Sequence, residues 1–168
     1  MAEFLISGPY DIPFEHAGGG RRLYYKDFWD QTADLKLISD ERGVYLFGVR
    51  AGKGFTPLYI GSATKTFRQE CFNQSNRHKY LDGLADYKKC SPVMFFVVHP
   101  KQKGKTNIRE IEEIEIFLIQ LASEKNPNLQ NIKGARGPKW SIKGVIRSKK
   151  GKPNESAKEF RRAIGLKG

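Results

Sequence analysis

The stretch from Gly43 to Gly61, GVYLFGVRAGKGFTPLYIG, constrains this chain more than any other. Two short apolar runs, Gly43–Val49 and Leu58–Gly61, flank the polar, Gly-rich Arg50-Ala51-Gly52-Lys53-Gly54. Side chains alternate across a strand, so Tyr45, Phe47 and Val49 share one face and Val44 and Leu46 the other. Runs rich in Val, Ile, Tyr and Phe, separated by glycines and a lysine, predict a β-hairpin. Tyr45 and Tyr59 then stand on neighbouring strands, close enough to act together. Taken alone, they read better as ordinary half-buried strand tyrosines.

The remainder of the chain limits what such a hairpin can serve. A length of 168 residues fits one domain with a real core, and 39% hydrophobic residues with eleven Phe and seven Tyr exclude a disordered chain. Thirty basic residues against 18 acidic ones leave a net charge of +12. That balance points to an anionic partner, nucleic acid before membrane, because no lipidation signal or strongly amphipathic basic helix accompanies it. Cys71 and Cys90 form no CxxC, and His16, His78 and His99 are too scattered for a local zinc motif. With no apolar run of the roughly 18–20 residues that a span requires and no signal-peptide pattern at the start, a cytoplasmic location without membrane contact is expected.

Residues 1–42 read as an aromatic, irregular extension, with Gly18-Gly19-Gly20-Arg21-Arg22 as a flexible basic loop and a short helix within Tyr24–Thr32. After the hairpin, Thr64 or Thr66 caps a helix whose apolar side is Phe67, Cys71 and Phe72, with Arg68 inside that arc. Asn73–Asn76 interrupts it and Arg77–Leu81 resumes it. Pro92–Val98 reads as a buried central strand. In the clearest helix, Ile108–Glu124, apolar residues recur at three- and four-residue steps. Glu115 lies within that apolar arc, whereas Glu112 and Glu113 point away and Glu110 sits at its edge. A carboxylate there is costly without a cation or hydrogen-bond donors, so Glu115 is either a structural ion pair or a metal ligand. Residues 133–168 form a basic element in which Ser156–Glu159 resembles a capping box before Phe160, and Trp140 reads as an anchor for the tail.

The ordered pair Gly43-Val44-Tyr45 and Tyr59-Ile60-Gly61-Ser62, followed by Arg68, Glu115 and Asn131, resembles the signature of the GIY-YIG nuclease superfamily over residues 43–132. The resemblance implies an α/β (α+β) core: a small, mainly antiparallel three-stranded sheet flanked by helices, here with N- and C-terminal extensions in a single domain. It implies a metal-dependent DNA endonuclease with Tyr45, Tyr59, Arg68, His78, Glu115 and Asn131 as catalytic residues. Arg77 is a rival for Arg68, and Asn128 for Asn131. Glu115 would hold one Mg²⁺ or Mn²⁺. One tyrosine, helped by His78, would activate water; a phenol with the ordinary pKa of roughly 10 is a poor base at neutral pH, so a cation such as Arg68 must assist. Nucleic-acid contacts are expected from Lys65 and Arg77, from Lys101, Lys103 and Lys105, and from Arg136, Lys139, Arg147, Lys149, Lys150, Arg161 and Arg162. The partner is DNA, most naturally double-stranded, and cutting both strands of a palindrome in concert would need a homodimer. Two alternatives stay open: an RNA-directed nuclease, and a non-catalytic nucleic-acid-binding module on the same fold.

Overall fold

The alternation around Tyr45 builds the middle of a sheet. Strands β4 (Gly43–Ala51) and β5 (Gly54–Ala63) pair antiparallel down to Ala51 opposite Gly54, so the hairpin runs further into the polar stretch than predicted and turns at Gly52-Lys53. The buried run predicted over Pro92–Val98 is β6 (Ser91–Val98), paired antiparallel along the other side of β4. The computed structural model describes residues 2–100, 106–131, 142–143, 145 and 153–165. The chain divides into two compact units, residues 1–135 and 136–168.

The first unit departs from the predicted three strands. Leu5–Asp11 forms β1, which adds antiparallel to the outer edge of β6 and makes a four-stranded sheet in the order β1-β6-β4-β5. Gly8 and Pro9 disguise this segment, since both are poor strand formers. The ladder accommodates them by shifting register between Ser7 and Tyr10. The Gly-rich segment read as a flexible loop is the turn of a second, two-stranded hairpin, β2 (Phe14–Ala17) with β3 (Gly20–Leu23).

One face of the main sheet carries Tyr45, Phe47, Val49 and Phe96. It is buried beneath aromatic residues of α1 (Tyr25–Phe28), α3 (Phe67–Glu70) and α4 (Gln74–Leu84), together with Leu35 of α2 (Ala33–Ile38). Phe47 stacks on Tyr80 at 4.1 Å between ring centroids. The opposite face carries Val44 and Ile60, covered by Ile111, Ile119 and Ala122 of α5 (Ile108–Lys125). The short helices start where side-chain oxygens accept the orphan N–H groups of a first turn. Thr66 accepts from the Gln69 amide, and Asn73 from the Asn76 amide, which breaks the segment into α3 and α4; the helix resumes at Gln74 and not at Arg77 as predicted, because Asn73 caps it and Gln74, Ser75 and Asn76 form its first turn.

In the second unit, α6 (Glu155–Ala163) begins one residue before the predicted cap Ser156. Asn154 is the cap, its Oδ1 accepting from the Ala157 amide, a role in which asparagine equals serine. Arg162 is exposed and paired with Glu159, and Arg161 is half-buried. Lys101, Lys103, Lys105, Arg136, Lys139, Trp140, Arg147, Lys149 and Lys150 lie outside the described residues. Among the described residues, no helix is long and apolar enough to cross a membrane.

Candidate active site at the hairpin

Each glycine of the paired motif is where a neighbour comes too close for a side chain. Gly43 has φ of +145°, and a Cβ there would lie 2.0 Å from the Val97 carbonyl oxygen of β6. Gly61 faces Tyr45 across the ladder, and a Cβ on it would stand 2.5 Å from Tyr45 Oη and 2.6 Å from Cζ. The Tyr45 ring therefore lies flat over Gly61 and packs near Tyr59, with ring centroids 6.3 Å apart. Tyr45 is only 2% exposed. Asn76 Nδ2 donates to its oxygen at 2.7 Å, which leaves the phenol proton available for donation. Burial pushes the Tyr45 pKa far above the ordinary tyrosine range, and the negative charge of Glu115 adds to the shift. At neutral pH Tyr45 is a neutral hydrogen-bond donor and not a phenolate base.

Tyr59 presents a different environment. Lys79 Nζ donates to Tyr59 Oη at 3.3 Å and lies 4.6 Å from the ring centroid, so an ammonium and a phenol oxygen sit side by side. Lys79 shares the sheet-facing side of α4 with Asn76 and Tyr80, three and four positions apart as a helix requires. Neither Lys79 nor Asn76 stands out by type in the sequence. The helix face is the signal that would have found them.

Glu115 is half-buried on α5, and Ser62 Oγ donates to its Oε2 at 2.9 Å. Ser62 immediately follows the Tyr59-Ile60-Gly61 run and points to the α5 face, opposite the tyrosines, so the carboxylate and the phenols approach from the two sides of one strand end. Among the described residues, no cation pairs with Glu115 and no group hydrogen-bonds to its Oε1. That donor set suits Mg²⁺ or Mn²⁺, hard ions that one or two carboxylates hold while water and phosphate oxygens complete the shell. No cluster of three His, Cys, Asp or Glu exists among the described residues.

Arg68 is exposed. Its guanidinium lies 5.8 Å from the Trp29 ring centroid, and Nη2 donates to Ser39 Oγ at 3.3 Å. No hydrogen bond or ion pair joins it to either tyrosine or to Glu115. Arg77 and His78 fall on the outward side of α4. The Arg77 guanidinium sits over Tyr25 at 4.9 Å, while Nε donates to the Phe72 carbonyl. His78 has no hydrogen-bond or ionic partner among the described residues, and the Lys65 side chain is exposed.

Asn131 is buried and braces the motif from the strand edge. Its Oδ1 accepts from the Ile60 amide at 2.9 Å, and its Nδ2 donates to the Ile60 carbonyl at 2.6 Å. Gln130 N donates to the Leu58 carbonyl and Asn126 Nδ2 to that of Pro57, so the segment after α5 caps the free edge of β5 as a strand would. Asn128 contributes only its own turn, its amide donating to Asn126 Oδ1. Comparisons of the chain with protein families, curated proteins and solved structures find no match.

Proposed function

We propose that the chain is a metal-dependent endonuclease hydrolysing phosphodiester bonds in DNA, with its active site at the end of the β4–β5 hairpin. The observation that carries this reading is Glu115: a half-buried carboxylate held by the serine next to the Tyr59-Ile60-Gly61 run, with neither a partner for its second oxygen nor a counter-cation among the described residues. The resemblance of the motifs to GIY-YIG nucleases and the charge of +12 point the same way. Glu115 would hold Mg²⁺ or Mn²⁺, which when bound neutralises phosphoryl charge and eases departure of the leaving oxygen. Tyr59 and Lys79, 3.3 Å apart, orient the attacking water and the scissile phosphate. Tyr45 donates its phenol proton as a fixed hydrogen bond, and Asn131 holds the strand that carries Tyr59. Arg68, tethered by Ser39 and Trp29, offers a guanidinium to the phosphate backbone.

One observation favours a second reading, a nucleic-acid-binding module without catalysis: Tyr45 is sealed in the core and Arg68 is committed to Trp29 and Ser39. Supercoiled plasmid, single-stranded DNA and RNA are incubated with Mg²⁺, Mn²⁺ or EDTA, beside Glu115→Ala. Metal-dependent cutting by the parent alone supports the nuclease, and the substrate that is cut separates DNA from RNA. Salt-sensitive binding of every substrate with no cutting would hand the function to the binding module.

A further inference from the structure

The β2–β3 hairpin and the C-terminal end of α4 enclose a cleft of about 670 Å³, and none of the candidate active-site residues lines it. Small-molecule sites commonly span roughly 300–1,000 Å³. Three basic side chains line the cleft, His16, Arg21 and Lys88, together with Leu81, Leu84 and Tyr87, and among the described residues no carboxylate does. The third wall is backbone. Gly18 and Gly19 both take positive φ to close the turn between Ala17 and Gly20, and a Cβ on either would meet nothing within 4 Å. The peptide groups there stand open to a ligand.

Arg21 joins the two walls, because its Nη2 donates to the Lys88 carbonyl at 2.9 Å. Its Nε is buried, and the same guanidinium interacts with the Cys90 thiol, whose pKa it lowers against the rise that burial causes. Neither Arg21 nor Lys88 is paired with a carboxylate among the described residues. The cleft therefore combines unneutralised positive charge with an apolar, partly aromatic floor.

We propose that this cleft binds a nucleotide unit, its phosphate against Arg21 and Lys88 and its flat base against Leu81 and Tyr87. A phosphate alone would leave the apolar floor bare, and an uncharged base would leave the cations unmatched. Free nucleotides and the 5′-phosphorylated end of a strand share this chemistry. The proposal does not rest on the nuclease reading, since Glu115→Ala should leave it untouched.

The test is a backbone-amide NMR titration of the full chain with thymidine 5′-monophosphate, thymidine, inorganic phosphate and a short 5′-phosphorylated oligothymidine. The nucleotide should shift Gly18, Gly19, Gly20 and Lys88 saturably. Thymidine and inorganic phosphate should each bind at least about tenfold more weakly, one charge-assisted contact or one stacked ring being worth that much. The exposed double variant His16→Gln/Lys88→Gln should lose about tenfold in affinity with an unchanged Tm. An oligothymidine that binds as tightly as the mononucleotide identifies a strand end as the ligand, and a weaker one identifies the free nucleotide. Either of three results overturns the proposal: no saturable shift with any probe, thymidine or inorganic phosphate binding as well as the nucleotide, or shifts confined to Tyr59 and Lys79.

Discussion

Replacing Gly61 with alanine tests the packing that ties the two halves of the motif together. Gly61 needs no unusual φ, so the only obstacle to a side chain is Tyr45, whose Oη, Cζ and Cε2 would lie 2.5, 2.6 and 3.0 Å from the new Cβ. Tyr45 cannot swing aside freely, because it packs against Phe67 and Tyr59 and is hydrogen-bonded to Asn76. Overpacking of this kind costs about 1–3 kcal/mol, and separating the buried phenol from Asn76 adds about 1–3 kcal/mol. Gly61→Ala should thus destabilise the protein by about 2–6 kcal/mol in urea unfolding. In a Tyr45→Ala background the obstacle is gone, and the same change should cost less than about 0.5 kcal/mol, a coupling that distant sites do not show. Equal costs in the two backgrounds would refute the argument that the ring of one motif dictates the glycine of the other.

Asn131→Leu strands both the amide and the carbonyl of fully buried Ile60, and a loss of about 2–4 kcal/mol in chemical denaturation is expected. Lys79→Met should lower cleavage at least about tenfold while altering unfolding free energy by less than about 1 kcal/mol; equal cleavage would remove Lys79 from the site. Burial raises the pKa of Tyr45 and Tyr80 above the unfolded value, so both keep their protons in the folded state while the unfolded chain gives them up. The buried Cys71 thiol is raised in the same way, so stability should begin to fall at about pH 9, and above about pH 10 each of the two phenols should add a loss of about 1.4 kcal/mol per pH unit. Phenolate absorbance for these two should appear only as the protein unfolds, whereas a smooth titration without unfolding would show that they are not sealed.

Local periodicity carried much of this fold. Alternation around Tyr45 predicts the hairpin and its faces, three- and four-residue steps predict α5, and Asn73 marks the break before α4. The fourth strand was illegible because Leu5–Asp11 contains Gly8-Pro9 and owes its strand to the β6 edge, a partner far along the chain. Gly18-Gly19 resembles a loop for a similar reason: its residues suit a tight turn, and only the pairing of Phe14–Ala17 with Gly20–Leu23 reveals the hairpin. In the site, Glu115 was legible because a carboxylate on an apolar helix face demands an explanation. Its partner Ser62 was not, since the contact joins residues 53 apart. On α4, residue type drew attention to Arg77 and His78, while the face that meets the sheet belongs to Asn76, Lys79 and Tyr80.

The measurement that bears most directly on the proposed activity is single-turnover DNA cleavage in Mn²⁺ by Glu115→Gln beside the parent. The amide oxygen can still accept from Ser62, so the fold and Tm should be retained, but the charge proposed to hold the metal is gone. A fall in rate of at least about a hundredfold with unchanged Tm is the predicted result. Cleavage at the parental rate would contradict Glu115 as the metal ligand and, with it, the active site described at the hairpin.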